Sequence, residues 1–396
     1  MVGEQAAARE ASLGLNDQIT QKFAAIAAGV VRPLAAETDR EGRWPAAAFD
    51  AFKAEGVMGL MAPADCGGLG AGTLGLAMAC ETLGRECAST AICFGMHCVG
   101  TAVLAANPTA AQRERYLHPI SAGEHITTLS LSEPGSGAFF FYPQTRLSLN
   151  HDRMRVDGRK HFVTNGGHAD SYVISGRTFD ESGTELDFSC AVVDGDRAGL
   201  QWKGRWSGVG MRGNSSISME LSGVELPRAQ LLGSLGSQIW YVFQVIAPYF
   251  LIAMAGAYLG LARRALDEAV AHVVGRGYQH SGDRLADAPV IQHRIGALWA
   301  DWHRVRCGLI SAAQAFDANA GDSLPAILSS KADVADCAVG IVNEAMTLCG
   351  GIGYREGGTL ERLLRDVRAA HVMAPTTDLL RIWTGRALLG IPMLAE

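Results

Sequence analysis

One polar stretch of the chain, residues 126–167, has residue types and spacing that could bind a polar ligand. It begins with strand-like alternation, breaks at Glu133-Pro134-Gly135, and resumes as a second strand at His161–Thr164. A Pro-Gly break between β-rich segments is typical of a loop rather than a helix. In such a loop the backbone N–H groups and the hydroxyls of Ser132 and Ser136 are not used by a strand ladder. They are therefore free to hydrogen-bond a ligand.

The elements that must position this loop follow the order helical, β, helical. Residues 1–124 and 237–396 repeat apolar side chains at helical spacing, whereas residues 125–236 form short Val-, Ile- and Thr-containing runs separated by turns. The sequence therefore predicts an α+β protein that is mostly α. Its domains are an N-terminal helical domain (1–124), a central antiparallel β-barrel (125–236) and a C-terminal helical bundle (237–396).

Several local features mark the ends of predicted helices. Residues 1–15 are expected to form a loosely attached arm, with Asn16 as the N-cap of the first helix. Pro33 is expected to kink or end that helix. The apolar stretch from Trp240 to Leu261 contains Pro248 and is predicted to form one buried helix or two.

Composition excludes several functional classes. The chain has 396 residues and a net charge of −6, which gives no basic surface for nucleic acid. No apolar run reaches the roughly 18 residues of a membrane span, and the N-terminus lacks the pattern of a secretion signal. The nine cysteines show neither Cys-x-x-Cys pairs nor zinc-type spacing. We therefore expect a cytoplasmic protein with reduced cysteines, no metal site and no membrane span.

Two ordered segments carry a family resemblance. Ser132-Glu133-Pro134-Gly135-Ser136-Gly137 and Lys160-His161-Phe162-Val163-Thr164-Asn165-Gly166 resemble the flavin-binding segments of the acyl-CoA dehydrogenase family. The resemblance covers nearly the whole chain. It implies a bound FAD and a C-terminal four-helix bundle after the β-barrel. Further matching segments are Gly67-Gly68-Leu69-Gly70, Gly210-Met211-Arg212-Gly213-Asn214-Ser215, Gly350-Gly351-Ile352-Gly353-Tyr354, Glu361-Arg362-Leu363-Leu364-Arg365-Asp366 and Gly385-Arg386-Ala387-Leu388-Leu389-Gly390.

The resemblance also implies which residues hold the flavin. Ser132 and Thr164 would donate hydrogen bonds to the polar edge of the isoalloxazine ring, and Phe162 would pack against the ring where the family usually has Trp. The alternative is that Phe162 and Thr164 are an ordinary strand pair in the barrel core. The other implied cofactor contacts are Arg276, Gln279, Gly350, Gly351, Thr376 and Asp378. Arg276 could instead be a cation at a helix C-terminus.

The chain departs from the family at the catalytic base. The position of the usual Glu near the C-terminus is Ala374, and the position used by other members, on the long helix, is Phe250. The catalytic residue is therefore unknown. Candidate replacements are Asp378, His371 and Tyr142, although residues of these types are more often at the surface or in packing.

The substrate region departs as well. An aromatic run occupies the loop that follows the flavin-binding Glu-Pro motif. It either forms an apolar substrate mouth or packs on the barrel or at a subunit interface. The candidate substrate residues are Phe139, Phe140, Tyr142, Tyr249, Phe250 and Ala374.

Three functions are compatible with this pattern. The first is an FAD-dependent oxidoreductase acting on an acyl thioester, of coenzyme A or a carrier protein, with a displaced or missing base. The second is a flavin-dependent monooxygenase of the same fold, in which no α-proton is removed. The third is a base-free partner subunit or a non-redox flavoprotein. The resemblance further implies a homo-oligomer, a tetramer or a dimer, because family members share the cofactor between chains.

Overall fold

The computed structural model describes residues 17–394. The arm predicted at residues 1–15 and the N-cap predicted at Asn16 lie outside the described residues.

The N-terminal part is helical, as predicted. Helix α1 comprises residues 17–26, Ala27–Val31 and Arg32–Glu41; it is followed by α2 (Ala46–Ala54), α3 (Gly72–Gly84), α4 (Ala88–Ala106) and α5 (Ala110–Gln112, Arg113–Leu117 and His118–Ser121). Phe49 and Phe52 of α2 are buried against Phe23 of α1, so the apolar spacing in the sequence marks the inner faces of these helices.

Prolines inside helices are accommodated by wide turns. The prediction that Pro33 kinks or ends the first helix was wrong, since α1 continues to Glu41. Pro33, Pro119 and Pro248 each occupy the second position after a five-residue π-helical turn. A proline ring clashes with the carbonyl four residues earlier, and a π turn widens the helix there. The π turns are Ala27–Val31, Arg113–Leu117 and Val242–Ile246.

The central part is one mixed sheet. Its strands are β1 (Thr127–Ser130), β2 (Arg146–Asn150), β3 (Arg153–Val163), β4 (Ser171–Phe179), β5 (Glu185–Asp194), β6 (Leu200–Lys203), β7 (Ile217–Pro227) and β8 (Leu231–Leu232). They pair in the order β6-β7-β3-β2-β4-β5-β8, with β1 also beside β4. β1 and β2 both run parallel to β4, so the expectation of purely antiparallel strands was wrong for these pairs. A parallel pair requires a long connection, and residues 131–145 between β1 and β2 are the loop that contains the Glu-Pro-Gly break.

The C-terminal part is again helical. Its helices are α6 (Gln238–Tyr241, Val242–Ile246 and Ala247–Gly275), α7 (Pro289–Asp317), α8 (Ser323–Cys349), α9 (Thr359–Val367), α10 (Ala369–Val372) and α11 (Thr377–Leu389). The predicted helical, β and helical order is thus confirmed. The apolar stretch around Pro248 belongs to one continuous helix rather than two.

Helices α3 and α6 cross at backbone contact and join the first part of the chain to the last. A Cβ atom on Gly260 would lie 2.0 Å from the carbonyl oxygen of Glu81, and one on Gly84 would lie 2.3 Å from that of Ala257. Only glycine permits such a close approach. This crossing fixes α6, which forms one side of the cavity described below.

Two helices of the described chain, Ala88–Ala106 and Gln238–Gly275, are long and apolar enough to cross a membrane. However, 94% and 89% of their most apolar windows are buried inside the protein, which makes them core helices. All nine cysteines lie in the described part and are unpaired. Seven of them are buried, Cys337 is half-buried and Cys307 is exposed.

Candidate functional site

A cavity of about 790 Å³ lies where the β domain meets the C-terminal helices. Its wall comes from β1 and the loop after it, the end of β3, residues 206–216, α6 and the chain from α9 to α11. Small-molecule sites usually occupy about 300–1,000 Å³, so the cavity has the size of a binding site. The predicted site residues that line it are Ser132, Phe140, Phe162, Thr164, Phe250, Ala374 and Thr376.

Phe162 faces the cavity because the backbone of β3 is distorted. The register of β3 against β7 shifts between Lys160 and Val163, and Phe162 adopts a φ of +53°. Its ring is 62% exposed and lies edge-on to Trp206 at 6.2 Å. The alternative that Phe162 packs in the barrel core is therefore wrong, since the bulge turns the side chain outward.

Left-handed backbone is concentrated around this cavity. Met211 and Ser215 also have positive φ values, as does Asn165 just after β3. For residues other than glycine such conformations cost about 1–3 kcal/mol each, and they persist where the surrounding structure enforces them. Their grouping on one wall indicates that the wall is shaped for a ligand.

The Glu-Pro-Gly loop is held by a buried ion pair. Lys160 Nζ donates to Glu133 Oε1 at 2.6 Å and to the carbonyl oxygen of Ser175 at 2.7 Å, and its side chain is fully buried. Thr145 Oγ1 donates to the same carboxylate oxygen at 2.7 Å. Burial opposes ionisation of Glu133, but Lys160 and these hydrogen bonds outweigh it and hold the pKa of the carboxyl below its ordinary value. The loop that precedes the cavity is therefore rigidly anchored to β3.

Hydroxyl groups supply the polar part of the wall. Within residues 17–394, the hydroxyl of Ser132 has no hydrogen-bond partner, whereas its carbonyl oxygen accepts from the N–H of His161 at 2.8 Å. Thr164 Oγ1 is paired with Ser216 Oγ at 3.0 Å, and both residues line the cavity. Thr376 occupies the N-cap of α11 without a side-chain cap, so free backbone N–H groups lie beside the cavity there.

Residues 209–211 are clamped to α9. Arg365 donates to the carbonyl oxygen of Val209 at 3.1 Å and to Asp39 at 2.9 Å, and Asp366 Oδ1 accepts from the N–H of Met211 at 2.7 Å. Full burial raises the pKa of Asp366 to about 6, although the Met211 hydrogen bond acts in the opposite direction. The clamp holds the strained residues of this wall in place.

The comparisons with known proteins agree over most of the chain. Sequence models of the acyl-CoA dehydrogenase N-terminal, middle and C-terminal domains match residues 16–124, 128–224 and 240–389. The chain is 30% identical over 368 residues to cyclohex-1-ene-1-carbonyl-CoA dehydrogenase of Geobacter metallireducens, a match that covers 92% of this chain and 95% of that protein. The chain belongs to the acyl-CoA dehydrogenase family.

Solved structures share its fold. Butyryl-CoA dehydrogenase from Megasphaera elsdenii superimposes with a TM-score of 0.88 at 23% identity, over 95% of this chain and 98% of that one. The prolyl acyl carrier protein oxidase AnaB superimposes with a TM-score of 0.85 at 22% identity, over 95% and 99%. At these identities the likeness shows the acyl-CoA dehydrogenase fold alone.

Both positions of the usual family base lie at the cavity and carry no acid. Ala374 and Phe250 line the wall, and the Ala374–Pro375 peptide is cis. Among the described residues that line the cavity, Glu133 is the one carboxylate, and it is committed to Lys160 and Thr145. The cavity of this acyl-CoA dehydrogenase relative therefore presents no uncommitted carboxylate.

The candidate replacement bases do not line the cavity. Asp378 is exposed in the first turn of α11. His371 Nε2 lies 3.0 Å from Asp336 on α8. Tyr142 is exposed and its ring packs on Phe141. The structure places none of the three where a substrate carbon in the cavity would lie.

The aromatic loop is divided between cavity and packing. Phe140 lines the cavity, whereas Phe139 is exposed and Phe141 packs on Trp383 of α11. Tyr249 packs edge-on against Phe316 of α7, and desolvation raises the pKa of its hydroxyl to about 12. Phe139, Tyr142 and Tyr249 thus lie outside the cavity wall, and both interpretations of the loop hold in part.

The residues expected at the adenosine end also lie outside this cavity. Arg276 is the C-cap residue of α6 and Gln279 follows it in an exposed turn. Gly350 has a φ of +57° and a ψ of −144°, and neither Gly350 nor Gly351 has an atom within 4 Å of an added Cβ. Their position outside the cavity of one chain suits residues that, by resemblance, serve a cofactor shared between chains.

Other wall residues had no role assigned from the sequence. Met96 of α4 and Trp206 line the cavity, as do Arg365 and Met211. The motifs Gly210-Met211-Arg212-Gly213 and Arg365-Asp366 were visible in the sequence, but nothing there indicated that they contact each other. Met96 and Trp206 gave no signal at all.

Proposed function

We propose that the protein is an FAD-dependent oxidoreductase that acts on an acyl thioester, of coenzyme A or a carrier protein, without a carboxylate base at either usual family position. The observation that carries this proposal is one cavity that joins the implied flavin contacts Ser132, Phe162 and Thr164 to the apolar positions Phe250 and Ala374. Membership of the acyl-CoA dehydrogenase family supports the cofactor and the thioester chemistry.

The donor set of the cavity fits a flavin. Phe162 offers an exposed ring as a flat wall, the hydroxyls of Ser132 and Thr164 lie beside it, and the uncapped N-terminus of α11 at Thr376 favours a negatively charged group. Bound there, FAD supplies an acceptor for two electrons. The protein would hold the ring by the Phe162 wall and orient it by the hydroxyl donors.

The opposite part of the cavity suits an apolar acyl group. Leu129, Ile246, Phe250 and Met373 contribute aliphatic, aromatic and thioether surface. These side chains would bind the acyl chain and exclude water from the reacting carbons. We assign no side chain to removal of the α-proton, because Glu133 is already paired with Lys160.

Two measurements test the proposal. The purified protein should show a flavin absorbance spectrum, and a panel of acyl thioesters should bleach it under anaerobic conditions. Ala374→Glu should raise the rate of bleaching by about 100-fold or more, because it restores a general base at the cavity wall. Val372→Glu is the matched control, since it places a carboxylate on the exposed rim of the same wall and should give no gain.

Other outcomes would contradict the proposal. A protein that binds no flavin even after reconstitution would remove its basis. So would a flavoprotein that no thioester reduces, either as the wild type or as Ala374→Glu.

A second function is favoured by one observation, the lack of an uncommitted carboxylate among the described residues of the cavity. A flavin-dependent monooxygenase of this fold needs no base for an α-proton. With reduced flavin and oxygen supplied, such an enzyme would convert an apolar amine, phenol or thioether into an oxygenated product. Mass spectrometry with labelled oxygen would detect the product, and oxygen uptake without labelled product from any of these classes would argue against this function.

A further inference from the structure

The protein buries two lysines in contrasting ways. Lys160, described above, is paired with the carboxylate of Glu133. Lys331 of α8 is 1% exposed, and its Nζ donates to two backbone carbonyl oxygens, those of Ala370 at 2.8 Å and Pro375 at 3.2 Å. No carboxylate among residues 17–394 lies within 4.0 Å of Lys331 Nζ. It is therefore a buried cation held only by neutral groups.

Such an arrangement is costly for a purely structural residue. Removing an ammonium group from water without a paired carboxylate is unfavourable, and an apolar side chain of similar length would fill the same space without that cost. Desolvation lowers the pKa of Lys331 to about 8, against a weaker opposing effect of Asp336. Buried charges that are retained despite their cost are concentrated at functional sites.

The two carbonyl groups held by Lys331 enclose part of the cavity wall. The carbonyl of Ala370 lies within α10 and that of Pro375 directly precedes Thr376. Between them, Val372, Met373 and Ala374 all line the cavity. Lys331 itself does not line the cavity. It therefore acts from behind the wall, across the base of the bend that joins α10 to α11.

We propose that Lys331 is a positioning residue for the flavin site: by binding the carbonyls of Ala370 and Pro375, it holds residues 370–376 in the conformation that presents Thr376 and Ala374 to the cavity. The inference rests on the proposed function for the identity of the ligand. The conformation of the segment is a property of the chain itself.

The test compares Lys331→Met with Lys331→Arg and with a control on the same helix. Methionine removes both hydrogen bonds at similar length, whereas arginine retains donors for both carbonyls. Ser330→Ala is the control, because Ser330 Oγ bonds within α8, to Ala326, and to Gly308 of α7, and contacts no residue of the segment. Three quantities are measured on the full chain: FAD affinity after reconstitution, melting temperature, and hydrogen exchange of residues 370–376.

Lys331→Met should weaken FAD binding by about tenfold or more and speed exchange within residues 370–376, while its melting temperature stays within about 3 °C of that of Ser330→Ala. Lys331→Arg should recover most of the FAD affinity. The small change in melting temperature is expected because loss of the buried charge offsets loss of the two hydrogen bonds.

Unchanged exchange at 370–376 in Lys331→Met would overturn the proposal. A general rise in exchange over the whole chain, with a matching loss of melting temperature, would also overturn it, since that result indicates a purely structural role. If Lys331→Met does not fold, Lys331→Arg decides: FAD affinity as low as that of unliganded background would refute the positioning role. The exchange measurement needs no cofactor, so failure of the flavin proposal is distinguishable from failure of this one.

Discussion

Removal of Lys160 should destabilise the protein through the carboxylate that it leaves behind. In Lys160→Met, Glu133 remains 3% exposed and keeps only neutral donors such as Thr145. Breaking a buried ion pair from one side costs about 3–5 kcal/mol, because an uncompensated charge stays in the interior. The double variant Lys160→Met/Glu133→Gln removes that charge and should recover more than half of the loss.

Equilibrium urea denaturation of the three variants and the wild type gives the coupling energy between the two side chains. The matched control is Arg177→Gln, which breaks the exposed pair with Glu185 on the same sheet and should have a far smaller effect, since water screens that pair. The reasoning would be refuted if Lys160→Met cost no more than the control, or if the double variant were as unstable as the sum of the single ones. Either result would mean that Glu133 is solvated or protonated when Lys160 is absent.

Three further predictions follow from single contacts. The pKa of Asp366 is raised by burial from an ordinary 3.8 to about 6, so the folded protein holds its proton more tightly and loses stability as pH rises through that window. The stability of Asp366→Asn relative to wild type should therefore improve by about 2 kcal/mol between about pH 4 and pH 7, a change that urea titrations at several pH values would detect. The groups facing Asp366 are Asp39, Arg362 and Arg365, and a flat pH profile would mean that their charges cancel the effect of burial. Phe162→Gly should keep or raise the melting temperature, because it relieves a positive φ at an exposed residue, yet lower the flavin content of the purified protein; full flavin retention would show that the ring is not a wall of the site. Gly260→Ala should cost about 1–3 kcal/mol by forcing α3 and α6 apart, whereas Gly296→Ala, in open space on α7, should stabilise by about 0.5–1 kcal/mol; equal effects in thermal unfolding would contradict the backbone contact.

Much of the architecture was predictable from local sequence. The helix at residues 377–389 and the long helices of the C-terminal part follow from apolar spacing and from capping residues, which act within a few residues of each other. The Glu-Pro-Gly loop and the hydroxyls near it were predictable for the same reason. The parallel pairing of β1 and β2 with β4 was not, because strand direction depends on where a long connection crosses.

The site itself depended on contacts between distant residues. Nothing around Phe162 announces a left-handed backbone, which is imposed by the bulge against β7. The partner of Lys160 lies 27 residues earlier in the chain, and the carbonyls held by Lys331 lie 39 and 44 residues later. By itself the sequence determined the order of elements, the family and the loss of an acid at Ala374, since each of these depends on residue identity along the chain. Only the tertiary structure decided which side chains enclose the cavity and that its one carboxylate is already neutralised, because burial and charge pairing arise from packing between segments that are far apart in sequence.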